Sequence, residues 1–379
     1  MRFEEAYDSW QSKRLTQEEA ARLLGVCERS FRRYINRYHE EGLEGLIDKR
    51  LQQVSHRQAP TDEVLRLEAL YKEKGRGWNV KHFYEKTYRG DRSYTWVKNR
   101  LQGAGLVTRG KRKGSHRKRR ERSPLAGMLI HQDGSTHQWV PGVCWDLIVT
   151  MDDATNEVYS AFFVEEEGTW SSLRGVWETI EQKGLFCSFY SDRGSHYWHT
   201  PEAGGKVDKA NPTQFGRALD ELGIERIAAY SPQARGRSER LFRTWQNRLV
   251  NELASEGITD IDAANAYVRE VFLPDFNRHF TVSAAAEGSA FVPLLSISLK
   301  DILCLKTERT VGNDNCVSYR GLTLQIPKQK ERCHYMKAKV KIHEYYDGNL
   351  AVFHGPRCLA GFDTSGVEVK EQTNTATAA

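Results

Sequence analysis

The sequence predicts a multidomain protein with all-α helical units at its N-terminus, a central α/β core and a small C-terminal β-barrel. At 379 residues the chain is longer than one ordinary hydrophobic core requires. Apolar residues recur with a helical period up to about residue 107, strands alternate with helices from Leu125, and short β-rich segments follow Pro293. Strands that alternate with helices indicate a sheet covered by helices.

The N-terminal region has the pattern of a helix-turn-helix unit. Thr16 and Glu19 form a capping box that predicts the start of a helix, and Gly25 ends that helix. A second helix is expected from about Glu28, with apolar and aromatic residues on one face. Three of its arginines lie away from that face: Arg29, Arg32 and Arg33. Such a basic face suits contacts in a DNA major groove, and an ordinary helical hairpin with a solvated basic face is the alternative.

A second helical unit is expected between Thr61 and about Val107, with Arg92 and Lys98 as its candidate DNA contacts. The segment 109–122 follows, in which nine of fourteen residues are lysine or arginine. A segment with this charge does not fold on its own and is attracted to nucleic acid, although a merely solvated tether has the same composition. Its candidate DNA-contact residues are Arg112, Lys113, Arg117, Lys118, Arg119 and Arg120.

Positive charge is concentrated in one part of the chain. Residues 51–123 contain 20 lysine and arginine residues against 7 aspartate and glutamate residues, whereas the whole chain has a formal net charge of only +6. A local positive field of this kind is expected where a chain binds a polyanion such as nucleic acid.

Composition excludes several protein classes. No run approaches the roughly 18 apolar residues of a membrane span, and the N-terminus lacks the charged-then-apolar layout of a secretory signal. The seven cysteines are an odd number without a C-x-x-C pair, which argues against both a disulfide framework and a structural zinc site. A cytoplasmic protein without a membrane partner is therefore expected.

Three acidic residues stand where elements of the predicted core begin or end. Asp133 ends the first apolar strand, Asp192 follows the fourth strand, and Glu239 lies in the first turn of a helix expected from Gly236. Mg²⁺ prefers hard oxygen ligands, and two such ions can contact both the attacking and the leaving oxygen of a phosphodiester. Three carboxylates so placed can hold a metal pair, which predicts a protein that cuts and joins DNA.

Other charged residues lie near these carboxylates in sequence. Arg235 and Arg237 precede Glu239 and are candidate phosphate clamps in a DNA complex. Asp152 and Asp153 are rival carboxylates, but we interpret them as a hairpin turn, where aspartate accepts local backbone hydrogen bonds.

The stretch from Tyr197 to Pro212 has the composition of an inserted polar loop. His196 and His199 lie at its start and could contact DNA or a metal. Because histidines in a polar loop are more often solvated, we expect neither to be a ligand.

The order of these units and motifs resembles bacterial insertion-sequence transposases of the DDE, or retroviral-integrase, superfamily, and most of all the ISNCY group. The motifs that carry the resemblance are His131 to Trp139, Asp152 to Thr155, Ser191 to Gly194, and Ser231 to Arg237 running into Glu239 and Arg240. The Ser-Pro-Gln block at the start of the last motif is the most specific. The resemblance covers nearly the whole chain.

The resemblance implies an RNase H-like core in which Asp133, Asp192 and Glu239 form the catalytic and metal-binding triad. It implies two Mg²⁺ ions in each active site, which Mn²⁺ can replace. The implied reaction cleaves double-stranded DNA at the terminal inverted repeats of the element to free 3′-hydroxyls, and joins these to target DNA. A homodimer or larger assembly on DNA is expected, in a bacterial cytoplasm and associated with the nucleoid.

The expected domain boundaries follow from the same resemblance. They are a helix-turn-helix domain at 1–57, a second, winged-helix-like helix-turn-helix domain at 58–107, a basic linker at 108–123, the catalytic core at 124–292, a small β-barrel at 293–365 and a disordered tail at 366–379.

Two other functions stay open. One is a DNA-binding regulator that derives from a transposase and lacks catalysis, and the presence of all three carboxylates argues against it. The other is an RNase H-type nuclease that cuts without joining, and the two helix-turn-helix units argue against that function because they favour recognition of defined DNA ends.

Overall fold

The structure is a computed structural model of the full chain. It describes residues 2–48, 59–110, 121–202, 205–230, 236–295, 298–329 and 332–369. The chain divides into two compact units. The first contains Met1–Lys74 and Asp91–Val107, and the second contains Gly75–Gly90 and Thr108–Ala379.

The first unit is helical. The N-terminal helices in chain order are α1 (Phe3–Gln11), α2 (Gln17–Leu23), α3 (Glu28–Glu41), a 3₁₀ turn (Gly42–Leu46), α4 (Thr61–Lys74), α5 (Val80–Lys86) and α6 (Tyr94–Gly103). Of these, α5 belongs to the second unit. The segment expected as one domain at 58–107 is therefore divided between the two units.

The predicted helix-turn-helix pair is α2 followed by α3. The Glu19 backbone N–H donates to Thr16 Oγ1 at 3.2 Å, and the Thr16 backbone N–H donates to Glu19 Oε2 at 2.8 Å, so the capping box forms. Helices α1 to α3 enclose a small core in which Tyr7, Phe31 and Ile35 are buried. The helical N-terminal region predicted from the sequence is confirmed.

A five-stranded mixed sheet forms the centre of the second unit. Its strands are β1 (Leu129–Val140), β2 (Val143–Asp152), β3 (Val158–Val164), β4 (Ser188–Ser191) and β5 (Glu225–Ala228). The order across the sheet is β3-β2-β1-β4-β5. The first three strands pair antiparallel, whereas β4 pairs parallel with both β1 and β5.

Two hydrophobic cores cover the two faces of this sheet. The helices are α7 (Thr169–Lys183), α8 (Gln214–Glu221), α9 (Ser238–Ser255), α10 (Ile261–Tyr267), a π-helical turn (Val268–Phe272) and α11 (Leu273–Phe280). One core contains residues of α9 to α11, with Trp139 and Trp245 fully buried. The other contains residues of α7 and α8, with Phe189 and Phe215 fully buried. The predicted α/β core is confirmed.

Helix α5 packs on α9 through buried polar contacts. The Nε2 atom of His82 lies 2.7 Å from Glu252 Oε1, and both side chains are almost fully buried. Arg248 donates to Glu85 at 2.8 Å, and Lys86 lies 3.2 Å from the second oxygen of Glu252. These contacts explain why α5 groups with the second unit.

The C-terminal region is β-rich, as predicted. After the short helix α12 (Leu299–Ile302) it contains β6 (Leu305–Thr310), β7 (Cys316–Tyr319), β8 (Leu322–Gln325), β9 (Lys339–Glu344), β10 (Leu350–His354), β11 (Arg357–Phe362) and β12 (Glu368–Val369). The order β12-β11-β10-β9-β6 makes an open antiparallel sheet, and β7 pairs with β8 as a separate hairpin. The expected closed barrel is therefore not formed by the described residues, because β6 and β12 are edge strands of one open sheet.

Two expectations about the chain ends and membranes can be compared with the structure. Residues 368 and 369, expected in a disordered tail, pair with β11 as β12, and residues 370–379 lie outside the described ranges. Every helix in the described part of the chain is too short or too polar to cross a lipid bilayer.

Candidate active site

Two of the predicted catalytic residues, Asp133 and Asp192, lie near the carboxyl end of strand β4. Strands β1 and β4 pair in parallel, with His131 opposite Tyr190. Asp133 lies two residues further along β1, and Asp192 directly follows β4. Continuation of the same register places Asp192 opposite Asp133 and on the same face, because side chains alternate along a strand.

Helix α9 covers that face of β1. Asp133 is buried, and it lines a small cavity with Ser238 and Leu241 from the first turn of α9. Gln246, two turns further along α9, donates to Ser135 Oγ at 3.2 Å. These contacts fix the N-terminus of α9 beside the strand that carries Asp133.

The third predicted residue, Glu239, lies in this first turn of α9 but is exposed. Among the described residues, no group of three or more His, Cys, Asp or Glu side chains converges to hold a metal. The structure thus places Asp133 inside β1 rather than at its end as predicted, Asp192 directly after the adjacent strand β4, and Glu239 in the first turn of α9 with its side chain exposed.

Two aromatic residues that the sequence analysis assigned to a polar loop are buried beside this edge. Tyr197 and Trp198 are each 2% exposed. The Tyr197 hydroxyl donates to Gln132 Oε1 at 2.9 Å, and the Trp198 indole N–H donates to Ser191 Oγ at 3.0 Å. The polar-loop interpretation is therefore wrong at its start, and the consecutive Tyr-Trp pair was the signal that could have revealed it.

Gln132 is held on the α7 side of the sheet. Its amide nitrogen donates to Thr150 Oγ1 at 2.9 Å and to the Ser172 carbonyl at 3.2 Å. A Cβ atom on Gly175 of α7 would lie 2.2 Å from that nitrogen, so only glycine leaves room for it. The side chain of Gln132, the residue before Asp133, is thus held by hydrogen bonds with β2, α7 and Tyr197.

The predictions for the two histidines differ in outcome. The His199 side chain is 54% exposed, as expected of a loop residue. The His196 side chain is only 18% exposed, and its Nε2 atom lies 3.3 Å from Glu167 Oε1. His196 is therefore not the solvated residue that we expected, because it packs against Tyr197 and beside an acidic group.

Asp152 and Asp153 are fully buried and serve structural contacts. Asp152 accepts backbone N–H bonds from Thr155 at 2.8 Å and from Gly127 at 2.7 Å, which agrees with the turn interpretation. Asp153 instead lies 2.8 Å from His131 Nε2 and forms an ion pair with Arg237.

This ion pair changes the interpretation of Arg237. Its guanidinium also donates to the carbonyl oxygens of Asp153 at 3.1 Å and Glu121 at 3.0 Å, and its side chain is 10% exposed. A guanidinium held in this way is not placed as a phosphate clamp. The second candidate clamp, Arg235, lies outside the described residues.

Nearby carboxylates affect the pKa of Tyr197. Burial, and next the negative charge of Glu167, raise the pKa of Tyr197 well above its ordinary value of 10. Asp133 and Asp192 act in the same direction. Tyr197 therefore keeps its hydroxyl proton and remains a hydrogen-bond donor, with Glu167 Oε1 3.3 Å from its hydroxyl.

The candidate DNA-contact residues of the first unit are on its surface to different degrees. Arg29, Arg32 and Arg33 are exposed on α3, although Arg32 pairs with Glu28 at 3.1 Å. Lys98 is exposed on α6. Arg92 forms two hydrogen bonds to Glu63, at 2.7 and 2.8 Å, and is less available to a phosphate. The candidates of the basic linker lie outside the described residues: Arg112, Lys113, Arg117, Lys118, Arg119 and Arg120.

Comparison with known proteins identifies the family. Residues 8–58 match the family described as winged helix-turn helix. The protein named "Putative transposase y4bF" of Sinorhizobium fredii is 30% identical over 348 residues, which span 89% of this chain and 75% of the relative. The chain belongs to this family of transposases. The insertion-sequence transposase predicted from the motifs is thereby confirmed, whereas membership of the ISNCY group stays a prediction.

A second relative supports the same family. The transposase for insertion sequence IS1202 of Streptococcus pneumoniae is 26% identical over 237 residues, which span 61% of this transposase and half of that relative.

Solved structures are less similar to this chain in sequence identity. A simian T-cell lymphotropic virus intasome matches 73% of this chain and 96% of its own, with 14% identity and a TM-score of 0.36. The HTLV-2 integrase catalytic core domain in complex with magnesium matches 39% of this chain and 87% of its own, with 16% identity and a TM-score of 0.30. These scores are low, and the family assignment rests on the sequence relatives.

Proposed function

We propose that this transposase binds the terminal inverted repeats of its element, cleaves the DNA there to free 3′-hydroxyls, and joins these to target DNA. The observation that supports the proposal is the parallel pairing of β1 with β4, whose register, if continued two residues beyond the His131–Tyr190 pair, sets Asp192 opposite Asp133. Two carboxylates on one face of such an edge repel each other unless a cation lies between them.

The residues at this edge fit a divalent metal. The donors are carboxylate oxygens, which Mg²⁺ and Mn²⁺ prefer, and among them Asp133 is buried. Asp133, Asp192 and Glu239 would hold the ions, with Glu239 turned inward from its exposed position. When bound, two such ions activate the attacking oxygen and stabilise the leaving oxygen of a phosphodiester.

The protein groups around the two aspartates would orient the metal ligands and would not take part in the reaction themselves. Tyr197 and Trp198 hold Gln132 and Ser191, the residues before the two aspartates. Buried aromatic side chains on the α7 side keep water from the back of the site. The chain would thus supply a rigid frame in which the two aspartates keep their spacing.

DNA recognition is assigned to the helical N-terminal region and the basic linker. The exposed arginines of α3 suit the major groove, and the linker at 108–123 suits phosphate contacts along the backbone. Because two element ends must meet for joining, we infer a homodimer or a larger assembly on DNA. Such a protein would act in the bacterial cytoplasm at the nucleoid.

A gel assay with labelled DNA that carries the element's ends tests this proposal. Purified full-length protein is incubated with Mg²⁺ or with EDTA, and nicked and joined products are resolved. The variants are Asp192→Ala and the matched control Asp262→Ala, which changes an exposed aspartate on α10. We expect Mg²⁺-dependent nicking and joining by the wild type and by the control, and neither product with Asp192→Ala.

The other outcomes identify the alternatives. Specific binding of the ends without cleavage in Mg²⁺ or Mn²⁺ would favour the non-catalytic regulator. Cleavage without any joined product, under conditions where target DNA is in excess, would favour the RNase H-type nuclease.

A further inference from the structure

The carboxylate of Glu167 lies against the backbone residue that follows Asp133. Glu167 is in the connection between β3 and α7. A Cβ atom on Gly134 would lie 2.2 Å from Glu167 Oε2 and 2.6 Å from its carboxyl carbon. The carboxylate thus occupies the space that any larger side chain at position 134 would fill. Gly134 is needed for this close approach rather than for a turn, because it lies inside β1.

The backbone of Glu167 is anchored to the same hairpin of the sheet. Its N–H donates to Asp146 Oδ2 at 2.7 Å, and the other oxygen of Asp146 accepts a hydrogen bond from Thr136. Asp146 and Thr136 face each other across β2 and β1. The position of Glu167 at the rim of the sheet is therefore set by the strand that carries Asp133.

The second carboxylate oxygen of Glu167 points to the loop after β4. Oε1 lies 3.3 Å from the Tyr197 hydroxyl and 3.3 Å from His196 Nε2. That His196 nitrogen is buried and is not aligned for a hydrogen bond to any described group. The Glu167 side chain is 24% exposed, and within the described residues its only ion pair is the one with His196.

Glu167 therefore adds a third carboxylate to those of Asp133 and Asp192. His196 links Glu167 to the Asp192 side, because a Cβ atom on Gly194 would lie 3.0 Å from both Asp192 Oδ1 and the His196 ring. Glu167 approaches from the α7 side of β1, whereas Asp133 faces α9. Within the described residues the Glu167 carboxylate lies 3.3 Å from both His196 Nε2 and the Tyr197 hydroxyl, and neither a lysine nor an arginine pairs with it there. A cation near the end of β4 would reduce the repulsion among these carboxylates.

We propose that Glu167 is a further metal-binding carboxylate of this site, which reaches one divalent ion over Gly134 while His196 orients it from behind. This inference rests on the proposed function, since it concerns the same metal site. It assigns a purpose to three features that the triad leaves unexplained: the glycine at position 134, the buried nitrogen of His196, and the acidic group between them.

Metal binding can be measured without the reaction. Mn²⁺ is titrated into full-length protein, and the free ion is followed by its electron paramagnetic resonance signal. The test variant is Glu167→Gln, which keeps the shape of the side chain. The matched control is Glu166→Gln, which removes the same charge from an exposed neighbour. We expect Glu167→Gln to weaken Mn²⁺ binding by about tenfold or more and the control to bind as the wild type does.

Gly134→Ala provides a second variant. The added methyl group would displace the Glu167 carboxylate, which is the flexible end of its side chain, so the fold should survive. We expect the same loss of Mn²⁺ affinity with the melting temperature of the wild type. If Glu167→Gln fails to fold, the Mn²⁺ affinity of Gly134→Ala tests the assignment of Glu167 as a metal ligand.

Asp133→Asn separates this inference from the proposed function. If Asp133→Asn loses Mn²⁺ while Glu167→Gln and Gly134→Ala bind it as Glu166→Gln does, the metal site exists and the assignment of Glu167 is wrong. If Asp133→Asn also binds Mn²⁺ like the wild type, the metal site of the proposed function is itself wrong, and the inference with it.

Discussion

The hydroxyl of Tyr197 donates a 2.9 Å hydrogen bond to Oε1 of Gln132, the residue that precedes Asp133. Its neighbour Trp198 makes the corresponding contact at 3.0 Å to Ser191, the residue that precedes Asp192. Two consecutive aromatic residues thus hold the side chains of the residues that precede the two aspartates. The spacing of the aspartates depends on the loop after β4 as much as on the pairing of the strands.

Removal of the Tyr197 hydroxyl should affect both stability and cleavage. Tyr197→Phe leaves the buried Gln132 oxygen without its donor, which should lower the free energy of unfolding by about 1–3 kcal/mol. Cleavage of element ends should fall by about tenfold, because the side chain of Gln132, which precedes Asp133, loses one of its hydrogen bonds. Denaturant unfolding and the gel assay measure the two effects, with Tyr346→Phe as an exposed control. Wild-type cleavage by a folded Tyr197→Phe protein would contradict the orienting role.

Arg237 should act on stability rather than on DNA affinity. Arg237→Gln leaves Asp153 buried without its guanidinium partner, and loss of one member of a buried ion pair costs about 3 kcal/mol or more. The control Arg243→Gln changes an exposed arginine on α9 and should melt like the wild type. Thermal unfolding and DNA-binding titrations of both variants make the comparison. Unchanged melting with weaker DNA binding by Arg237→Gln would restore the phosphate-clamp interpretation.

His343 should make the stability of the protein depend on pH. Burial, and next the nearby Lys306, lower the pKa of His343 from 6.5 to about 4. Below pH 6.5 the unfolded chain therefore binds a proton that the folded chain does not, so stability falls as the pH falls from 6.5 to 4. The loss attributable to this residue is at most about 3 kcal/mol.

Melting temperatures of His343→Gln between pH 7 and pH 4 measure this contribution. Other groups titrate in the same range, so the comparison is with the wild type and with His354→Gln, which changes a half-buried histidine on β10. The His343→Gln protein should lose less stability on acidification than both. A pH dependence identical to that of the wild type would show that His343 is not the group responsible.

The exposed arginines of α3 should contribute phosphate contacts. Arg33→Ala should weaken binding of the element ends and reduce the slope of log affinity against log salt concentration by about 0.9, the value for one lost phosphate contact. Fluorescence anisotropy at several salt concentrations measures that slope. Arg92→Ala is the contrasting variant, because Arg92 pairs with Glu63 and should leave the slope unchanged. Equal slopes for Arg33→Ala and the wild type would remove α3 from the DNA interface.

Local patterns in the sequence were sufficient for the type of most elements and for one strand end. Asp192 does follow β4, as its apolar run predicts, whereas β1 continues past Asp133 to Val140, so the prediction that Asp133 ends its strand is wrong. Thr16 could be placed as a cap because its partner Glu19 is three residues away. In these cases the determining contacts lie within a few residues of each other.

Features that depend on distant contacts could not be predicted. Tyr197 meets a residue 65 positions away, and Arg237 meets one 84 positions away, so neither role is visible in local spacing. Gly134 lies inside the motif from His131 to Trp139, but the carboxylate that occupies the space beside it belongs to Glu167, in the connection between β3 and α7. In the C-terminal region the composition predicts the strands. Whether they form a barrel or an open sheet depends on whether the first and last strands, β6 and β12, pair with each other, which is a contact between distant residues.

A double-mutant comparison of Asp133 and Asp192 tests the central claim most directly. The rates of cleavage at the element ends are measured for Asp133→Asn, Asp192→Asn and the double variant under saturating DNA in Mg²⁺. If the two aspartates hold the same metal pair, each single variant should lose about 10³-fold or more, and the double variant should be no slower than either single variant. Retained cleavage by a folded single variant, or losses that multiply in the double variant, would contradict a shared metal site at the β1 and β4 edge.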